Sequence, residues 1–512
     1  MAMKTEYDNN IMLQSVESDE EKLKDEWQSI NWNSIEHSIF KIQKRIYEAE
    51  KNGEYRKVRD QSRLLTHSKR SLLYAIKLVT KKNKGRKTSG IDGIVINSDS
   101  ERMALFEELS KRKIDLHNPK PVRRIYIPKR NNKKRPLGIP TIIDRVYQEV
   151  CKLALEPICE AKLGADSYGF RPSRGTGDAI AKIHASTRRL KRPYVFEGDF
   201  QSCFDTLNHQ HILDKLGNFP LKNLIKKWLE AGYVENNVFK KTRTGTPQGG
   251  IISPLLANLA LQGIEEALNV TYKRRKRNGE YCYTIDSKYV VIVYADDFVV
   301  LCKSLDDAEE VYSLLEDYLE ERGLTLAPDK TKITSLYDGF DFLGYNIRCY
   351  KSQDRDKVLI KASKDSIKSF KRKAKDIISN CYPWNLDESI DRLNNLIYGT
   401  GMYWRIGSNK RLFNKMDNYI YELWMRQIKR WHPNKSTKWR VKKYFKDSQF
   451  PDSKDKWCFT DSNTNNQVIK MAKIRIKYHI CLRYKATPYD DAFNDYYMKR
   501  SFKKPFEIVF KK

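Results

Sequence analysis

Two adjacent aspartates stand between two apolar stretches in YVVIVYADDFVVLCKS, which runs from Tyr289 to Ser304. The β-branched and aromatic residues on either side predict two strands, with Asp296 and Asp297 at the bend between them. An unpaired carboxylate beside a buried hairpin is costly, so the pair needs solvent or a compensating partner. A turn that merely projects into water is one explanation, because aspartate is a common turn residue.

A third carboxylate ends another predicted strand. In YVFEGDFQSCFD (194–205) the apolar run stops before Asp199. If this strand lies beside the hairpin, Asp199 and Asp296 face each other across it. Converging carboxylates are hard oxygen ligands that suit Mg²⁺, and two such ions can activate an attacking hydroxyl and stabilise a leaving phosphate oxygen. The alternative is that Asp199 only caps a strand end.

The overall charge indicates a polyanionic partner. The 512 residues include 97 Lys and Arg against 65 Asp and Glu, a net charge of +32, which favours nucleic acid over its rival, an anionic membrane surface. No stretch approaches 18 apolar residues and the N-terminus has no apolar signal segment, so we expect a soluble intracellular protein without a membrane partner. The nine cysteines include no Cys-x-x-Cys pair, which predicts buried free thiols.

The elements that must position these carboxylates can also be predicted from local patterns. After about residue 365 helices dominate, and residues 435–446 contain six Lys or Arg and no acid. Periodicity and turn residues predict the following elements: a strand, basic turn and strand over 122–140, a helix over 141–161, a helix over 304–324 that stops at Gly323, and a second hairpin over 338–348.

Several motifs together resemble a known family. YADD between two strands, EGDFQSCFD upstream and GTPQGGIISPLLANL between them resemble the palm motifs of reverse transcriptases. More narrowly, RRIYIPKRNNKKRPLGIPTIIDRVYQEV, SYGFRPSRGTGDAI and GFDFLGYNIR are similar to the group II intron-encoded reverse transcriptases, or maturases. The match is collinear from about 60 to 350 and continues more weakly into the family's thumb, or X, domain. It implies an α+β right-hand polymerase of fingers, palm and thumb, followed by a helical, basic C-terminal region.

The resemblance also implies a domain order. It comprises a charged helical N-terminal extension (1–59), the reverse transcriptase fingers and palm (60–360), the thumb or X (maturase) domain (361–450) and a DNA-binding C-terminal region (451–512). The longest family members end in an HNH endonuclease with paired Cys-x-x-Cys. We expect the form without that domain, which would not cut a second DNA strand by itself.

The implied function is an RNA-directed DNA polymerase that works by two-metal nucleotidyl transfer with two Mg²⁺ ions. Its implied partners are a group II intron RNA, which it helps to splice, a DNA target with a primer, and dNTPs. Two alternatives stay open: an RNA-binding splicing cofactor without polymerase activity, and a domesticated reverse transcriptase in host or antiviral defence. We expect a bacterial, nucleoid-associated cytoplasmic location, with an organelle as the alternative, and the oligomeric state stays open.

The family's motifs assign roles to individual positions of this sequence. The implied metal ligands are Asp199, Asp296, Asp297 and the backbone carbonyl of Phe200. The implied dNTP-binding residues are Lys129 and Arg135 for the triphosphate, Gln248 and Phe200 for the nucleotide, and Phe204, which would lie under the sugar and exclude a 2′-hydroxyl. Phe204 could instead be a core aromatic, and Lys129 and Arg135 could provide general affinity for a phosphate backbone.

The implied nucleic-acid contacts are cationic. Arg171 and Arg174 make either template or structural contacts, and Lys330 either reaches developing phosphate charge or lies in a solvated turn. The basic segment near 440 suits RNA, because lysines neutralise phosphates and aromatic rings stack on unpaired bases. The residues expected to bind RNA there, unless they form only a solvated face, are Lys435, Lys438, Arg440, Lys442 and Lys443.

Overall fold

The computed structural model describes residues 19–128, 134–235, 238–246, 248–277, 280–449 and 455–502, which form mixed helices and sheets. The α-helices are α1 (19–29), α2 (Trp32–Lys51), α3 (Tyr55–Thr66), α4 (Lys69–Lys77), α5 (Asp99–Ser110), α6 (Ile142–Lys162), α7 (Thr176–Thr187), α8 (Cys203–Thr206), α9 (His209–Lys215), α10 (Lys222–Glu230), α11 (Ser253–Ala260), α12 (Ile264–Ala267), α13 (Leu305–Leu314), α14 (Glu316–Arg322), α15 (Lys364–Ser379), α16 (Leu386–Trp404), α17 (Lys410–Trp431), α18 (Thr437–Tyr444) and α19 (Asn494–Phe502). The strands are β1 (Val122–Pro128), β2 (Lys134–Ile139), β3 (Tyr194–Asp199), β4 (Tyr233–Glu235), β5 (Val238–Lys240), β6 (Tyr272–Arg277), β7 (Glu280–Ile285), β8 (Val290–Tyr294), β9 (Asp297–Cys302), β10 (Lys332–Ser335), β11 (Phe340–Phe342), β12 (Tyr345–Tyr350), β13 (Lys357–Ala362), β14 (Phe445–Lys446) and β15 (Cys458–Phe459).

A four-stranded antiparallel sheet in the order β10–β3–β9–β8 lies at the centre of the chain. Successive strand residues point to opposite faces, and here each face enters a different hydrophobic core. Phe196, Phe298 and Val300 belong to the first core, whereas Val195 and Val299 belong to the second. Burial on both faces explains why these strands are continuous apolar runs rather than alternating ones.

The first core joins the central sheet to the N-terminal helices. It extends from Trp27 to the helices that follow β9, and α2, α3 and α4 all pack on the long buried helix α6. The expected boundary at residues 59 and 60 falls inside α3, so the described residues from Trp27 onward are part of this core and not a separate extension. The boundary at 360 and 361 falls inside β13, and the boundary at 450 and 451 lies outside the described residues.

A second sheet, in the order β2–β1–β4–β5, stands beside the central one. Its strands β1 and β2 pair in antiparallel register from Arg123↔Ile139 to Pro128↔Lys134, which confirms the two predicted strands, while the basic turn at 129–133 lies outside the described residues. The helix expected over 141–161 is α6. The helix expected over 304–324 is divided into α13 and α14, and it ends as predicted at Gly323, whose φ of +65° suits a glycine C-cap.

The second core contains the sheet β11–β12–β13 and the helices α15, α16 and α17. Residues 455–500, here called the C-terminal strap, run from these helices back to the N-terminal ones. Asp417 accepts hydrogen bonds from the backbone N–H of Met471 (2.7 Å) and Ala472 (2.9 Å), and the Lys51 ammonium lies 2.8 Å from Asp490. The helices within the strap are short, so the expectation of a helical C-terminal region is corrected.

Two further expectations concern membranes and thiols. None of the described helices is both long enough and apolar enough to cross a membrane. All nine cysteines are free, and seven are buried, as predicted for free thiols in cores.

We predict that Gly198→Ala destabilises the central sheet. A Cβ on Gly198 would lie 2.1 Å from the ring of Phe298, which is itself buried between Phe196 and Phe200. The rigid ring cannot move without disturbing both neighbours, so we expect a loss of about 1–3 kcal/mol. Urea unfolding measures it, and Gly399→Ala is the control, because a Cβ there meets no atom within 4 Å. Equal stability of the Gly198 variant and the parent would contradict this packing.

Candidate active site

The predicted hairpin is formed by β8 and β9, and Ala295 and Asp296 make its two-residue turn. The register pairs Asp199 with Asp297, so these two side chains project from the same face of the sheet. This corrects the expectation that Asp199 faces Asp296, which lies in the turn itself. The three carboxylates are nevertheless gathered at one end of the central sheet.

The turn is held by a segment at the free edge of β8. The N–H of Tyr168 donates to the carbonyl of Val293 (2.9 Å), and the N–H of Val293 donates to the carbonyl of Asp166 (3.0 Å). A Cβ on Gly169 would lie 2.3 Å from the backbone nitrogen of Ala295, so only glycine permits this close approach. The motif SYGF therefore supports the hairpin.

Arg171 and Arg174 hold this supporting segment from behind. Arg171 is buried, donates to both carboxylate oxygens of Glu160 (2.7 and 3.0 Å), and also binds the carbonyl of Ser167. Arg174 donates to the carbonyls of Ala165 (2.7 Å) and Ser167 (3.0 Å), and burial lowers its pKa. Of the two alternatives for these arginines, the structure therefore supports the structural contact over nucleic-acid binding, because both guanidinium groups donate to internal acceptors.

The carboxylates repel one another electrostatically. Asp297 keeps contact with solvent, but the protein packed around its carboxyl group and then the charges of Asp296 and Asp199 raise its pKa to about 6. The ammonium of Lys330 acts in the opposite direction and lies 2.6 Å from Asp199 Oδ2. Lys330 thus lies in an exposed turn, which was one of its two alternatives, and it also contacts a site carboxylate, whereas its contact with phosphate stays a prediction.

The chemistry of these donors suits a hard divalent cation. Three carboxylates present oxygen ligands, and a cation among them would relieve the repulsion that raises the Asp297 pKa. The bonds from Ala327 N–H to the Asp199 carbonyl and from Gln201 N–H to the Thr325 carbonyl, both 2.8 Å, flank Phe200. In this antiparallel hydrogen-bond pattern, the Phe200 carbonyl points away from the segment Thr325–Ala327. Among the described residues, however, no three acidic, histidine or cysteine side chains are already arranged as a metal cluster.

Phe204 lies in the short helix α8, five positions after Asp199, and is almost fully buried in the first core. Its carbonyl accepts a hydrogen bond from Thr246 N–H (2.6 Å), and Gly245, with a φ of +83°, packs against the same carbonyl. The GTPQGG loop is thus fastened beside Phe204. The burial agrees with a core aromatic as well as with a wall under a sugar, so the sugar-excluding role stays a prediction.

The same loop reaches the β1–β2 hairpin. Arg135 Nε donates to Gln248 Oε1 (2.8 Å), and the Gly138 N–H donates to the Gln248 carbonyl (2.6 Å). Gly249 has a φ of +126°, and a Cβ there would lie 2.5 Å from the Gly138 carbonyl oxygen. The structure therefore brings together Arg135 and Gln248, which lie more than a hundred positions apart, whereas Lys129 lies outside the described residues.

The basic segment near residue 440 forms α18 and the turn before it. Arg440 is buried and donates to the carbonyls of His432 (3.2 Å) and Pro433 (3.3 Å), which corrects its expected RNA contact. The lysines expected to bind RNA are exposed: Lys435, Lys438, Lys442 and Lys443. The half-exposed ring of Trp439 lies under two of these ammonium groups, at 5.1 and 5.5 Å.

Sequence reasoning missed the residues that support the site from a distance. Glu160 and Asp166 carry no pattern of their own, because their partners are remote in the chain. The glycine inside SYGF and the glycine inside EGDF were the available signals, since a glycine beside a strand marks a close approach.

Three family models match this chain. Residues 127–347 match the reverse transcriptase (RNA-dependent DNA polymerase) family, residues 27–109 match the N-terminal domain of reverse transcriptase, and residues 367–445 match the group II intron, maturase-specific domain. Together they account for most of the described chain, in the order that the motifs predict.

Two curated relatives align with the polymerase region. Protein YkfC of Escherichia coli is 33% identical over 300 residues, which cover 52% of this chain and 78% of that protein. The group II intron-encoded protein LtrA of Lactococcus lactis is 32% identical over 329 residues, which cover 53% of this chain and 54% of LtrA, so the match spans about half of that relative. A telomerase structure from Candida albicans, with a TWJ fragment of telomeric RNA, aligns at 12% identity with a TM-score of 0.36 over 61% of this chain and 60% of that one.

We predict that Asp297→Asn stabilises the metal-free protein at neutral pH but not near pH 4. The pKa of Asp297 is about 6 in the folded chain and about 3.9 in an unfolded one. The folded state therefore binds more protons between these values, and stability falls as the pH rises through that window. Because the side chain contacts solvent, we expect a gain of no more than about 1 kcal/mol.

Urea unfolding in EDTA at several pH values measures this difference. The control is Asp317→Asn, which removes an exposed carboxylate remote from the site. A gain that is the same at pH 4 and pH 7 would show that the raised pKa is not its cause.

Proposed function

We propose a mechanism for this chain, which belongs to the group II intron-encoded reverse transcriptases. In that family an RNA-directed DNA polymerase is joined to a maturase domain that binds intron RNA. The family depends on divalent metal, and we propose two Mg²⁺ ions held by Asp199, Asp296, Asp297 and the Phe200 carbonyl. When bound, such ions supply the Lewis acidity that activates a primer 3′-hydroxyl and stabilises the leaving pyrophosphate. The observation that supports this is the convergence of three carboxylates despite the repulsion that raises the Asp297 pKa.

The fingers hairpin and the GTPQGG loop would bind the incoming dNTP. The Arg135 guanidinium is exposed and only partly occupied by Gln248, so it can turn toward a triphosphate, whose oxygens suit a guanidinium fork. Gln248 is fixed through its backbone and would contact the nucleotide, and Lys129 would add a second cation. In right-hand terms, the sheet containing β1 and β2 would be the fingers, the central sheet the palm, and α15–α17 the thumb.

The maturase function would use the exposed lysines around α18. Their ammonium groups can neutralise RNA phosphates, and Trp439 is placed between two of them to stack on an unpaired base. A DNA target that supplies the primer, and a bacterial cytoplasmic location, are also proposed, in line with the bacterial relatives. A splicing cofactor without polymerase activity would gain nothing from the costly carboxylate cluster, which favours the enzyme.

We expect Asp296→Asn to reduce DNA synthesis on an RNA template by several orders of magnitude, because phosphoryl transfer depends on electrostatic stabilisation at the metal site. RNA affinity should be almost unchanged, since the lost charge is remote from α18. Primer extension with Mg²⁺ and filter binding of intron RNA measure the two effects, and Asp317→Asn should extend normally. Near-normal extension by the Asp296 variant would disprove the ligand assignment.

The sugar-excluding role of Phe204 predicts a change in substrate choice. Phe204→Val shortens the side chain, so the variant should incorporate rNTPs more readily relative to dNTPs. Single-turnover incorporation of each nucleotide measures the ratio. If the ratio stays constant while stability falls, Phe204 is only a core aromatic.

The exposed lysines predict the salt dependence of RNA binding. Replacing Lys435, Lys438, Lys442 and Lys443 with Gln should weaken binding and flatten the plot of log K against log[salt] by up to about 0.7–0.9 per lost phosphate contact. The same four positions changed to Arg keep the charge and should keep the slope. A slope unaffected by the Gln changes would identify these lysines as a solvated face.

A further inference from the structure

A second charged surface lies at the opposite end of the central sheet from the carboxylates. The pair Asp199↔Asp297 marks one end of the β3–β9 ladder, and Tyr194↔Cys302 marks the other. Five steps along a strand separate these ends by roughly 17 Å. Lys191, just before β3, and Lys303, just after β9, are both exposed at the far end. This surface is therefore separate from the site that would hold a primer end.

The strongest concentration of charge there is the two-stranded ribbon of β6 and β7. Lys273, Arg274, Arg275 and Lys276 are consecutive and exposed. Among the residues whose side chains are described, no acidic group lies within ion-pair distance of Lys273, Arg275 or Lys276. A solvated charged face normally mixes both signs, so this uniform charge indicates a polyanionic partner.

The ribbon is anchored on one face only. The rings of Tyr272 and Tyr283 lie 4.8 and 4.2 Å from the ring of Tyr484 in the C-terminal strap. Because side chains alternate along a strand, Lys273 and Arg275 point to the opposite, solvent-facing side. The strap therefore fixes the ribbon while it leaves a basic face open.

Cations from neighbouring segments continue the charge to the foot of the ribbon. A cavity of about 410 Å³ is bordered there by the end of β7, Lys191 and Lys303, with Asp286 as its one carboxylate. Arg192 Nε donates to the carbonyl of Lys288 (3.0 Å), which ties the loop before β3 to the chain that follows the ribbon. Residues 188–192, 272–276, 282–285 and 303 therefore form one surface, here called the basic ribbon surface.

Exposed aromatic rings lie on the anchored side of the ribbon, where Tyr283 is paired with Arg274. Tyr283 is 42% exposed although it stacks on Tyr484, and Tyr478 is 62% exposed and stacks on His184. Rings in such positions can stack on unpaired bases, which structured RNA offers and continuous duplex DNA does not.

We propose that the basic ribbon surface binds a structured RNA outside the polymerase cleft, with cations on its phosphates and tyrosine rings on unpaired bases. The inference rests on the proposed function only for the identity of the RNA, which would be intron RNA. It implies that one protein holds two nucleic acids at once, a template and primer in the cleft and a folded RNA behind the palm.

The test uses full-length protein with Lys273→Gln, Arg275→Gln and Lys276→Gln combined. The matched control exchanges the cations at the same positions, Lys273→Arg, Arg275→Lys and Lys276→Arg. The probes are a group II intron transcript, a short duplex DNA of arbitrary sequence, and poly(rA) primed with oligo(dT). Unfolding midpoints establish that both variants fold.

We expect the Gln variant to bind the intron transcript roughly tenfold more weakly, with a flatter salt dependence, and to extend the primer on poly(rA) as the parent does. The control should match the parent in both. Unchanged RNA affinity and slope, or an affinity loss confined to duplex DNA, would overturn the proposal. An equal loss of primer extension would place the ribbon in the cleft and also overturn it. Because binding is measured without dNTPs, a parent protein that fails to polymerise would refute the proposed function but not this inference.

Discussion

Like charges held close together are the constraint on which this structure depends. Asp199, Asp296 and Asp297 repel one another, and this repulsion adds to burial, the larger cause, in raising the pKa of Asp297. The antiparallel ladder prevents separation, because the register fixes Asp199 opposite Asp297. Lys330 provides partial compensation through its contact with Asp199.

The sheet can hold these charges because it is fixed from every side. Its two faces enter two hydrophobic cores, and its free edge is bound by the segment that contains Tyr168. That segment is in turn held by Arg171, which forms a buried ion pair with Glu160. A buried pair of this kind contributes little net stability, but loss of one partner leaves an uncompensated charge. The arginine motif near residue 171 is therefore best understood as structural.

The distribution of charge follows the same sheet. Acids are gathered at one end of the β3–β9 ladder, and exposed cations lie at the other end, on the β6–β7 ribbon and on α18. Much of the net charge of +32 thus lies on surfaces that suit phosphate backbones, while the end with the three carboxylates stays acidic. The C-terminal strap links these surfaces, since it packs on α17, the ribbon and the N-terminal helices in turn.

The sequence by itself determined the carboxylates, the hairpin around them, α6, the β1–β2 hairpin and the family, because each depends on local periodicity or on a contiguous motif. Only the tertiary structure decided the register that sets Asp297 opposite Asp199, the meeting of Arg135 with Gln248, and the internal hydrogen bonds of Arg171, Arg174 and Arg440. These depend on contacts between segments far apart in the chain. A cation looks the same in sequence whether its partner is a phosphate or a buried carbonyl, and only packing distinguishes the two.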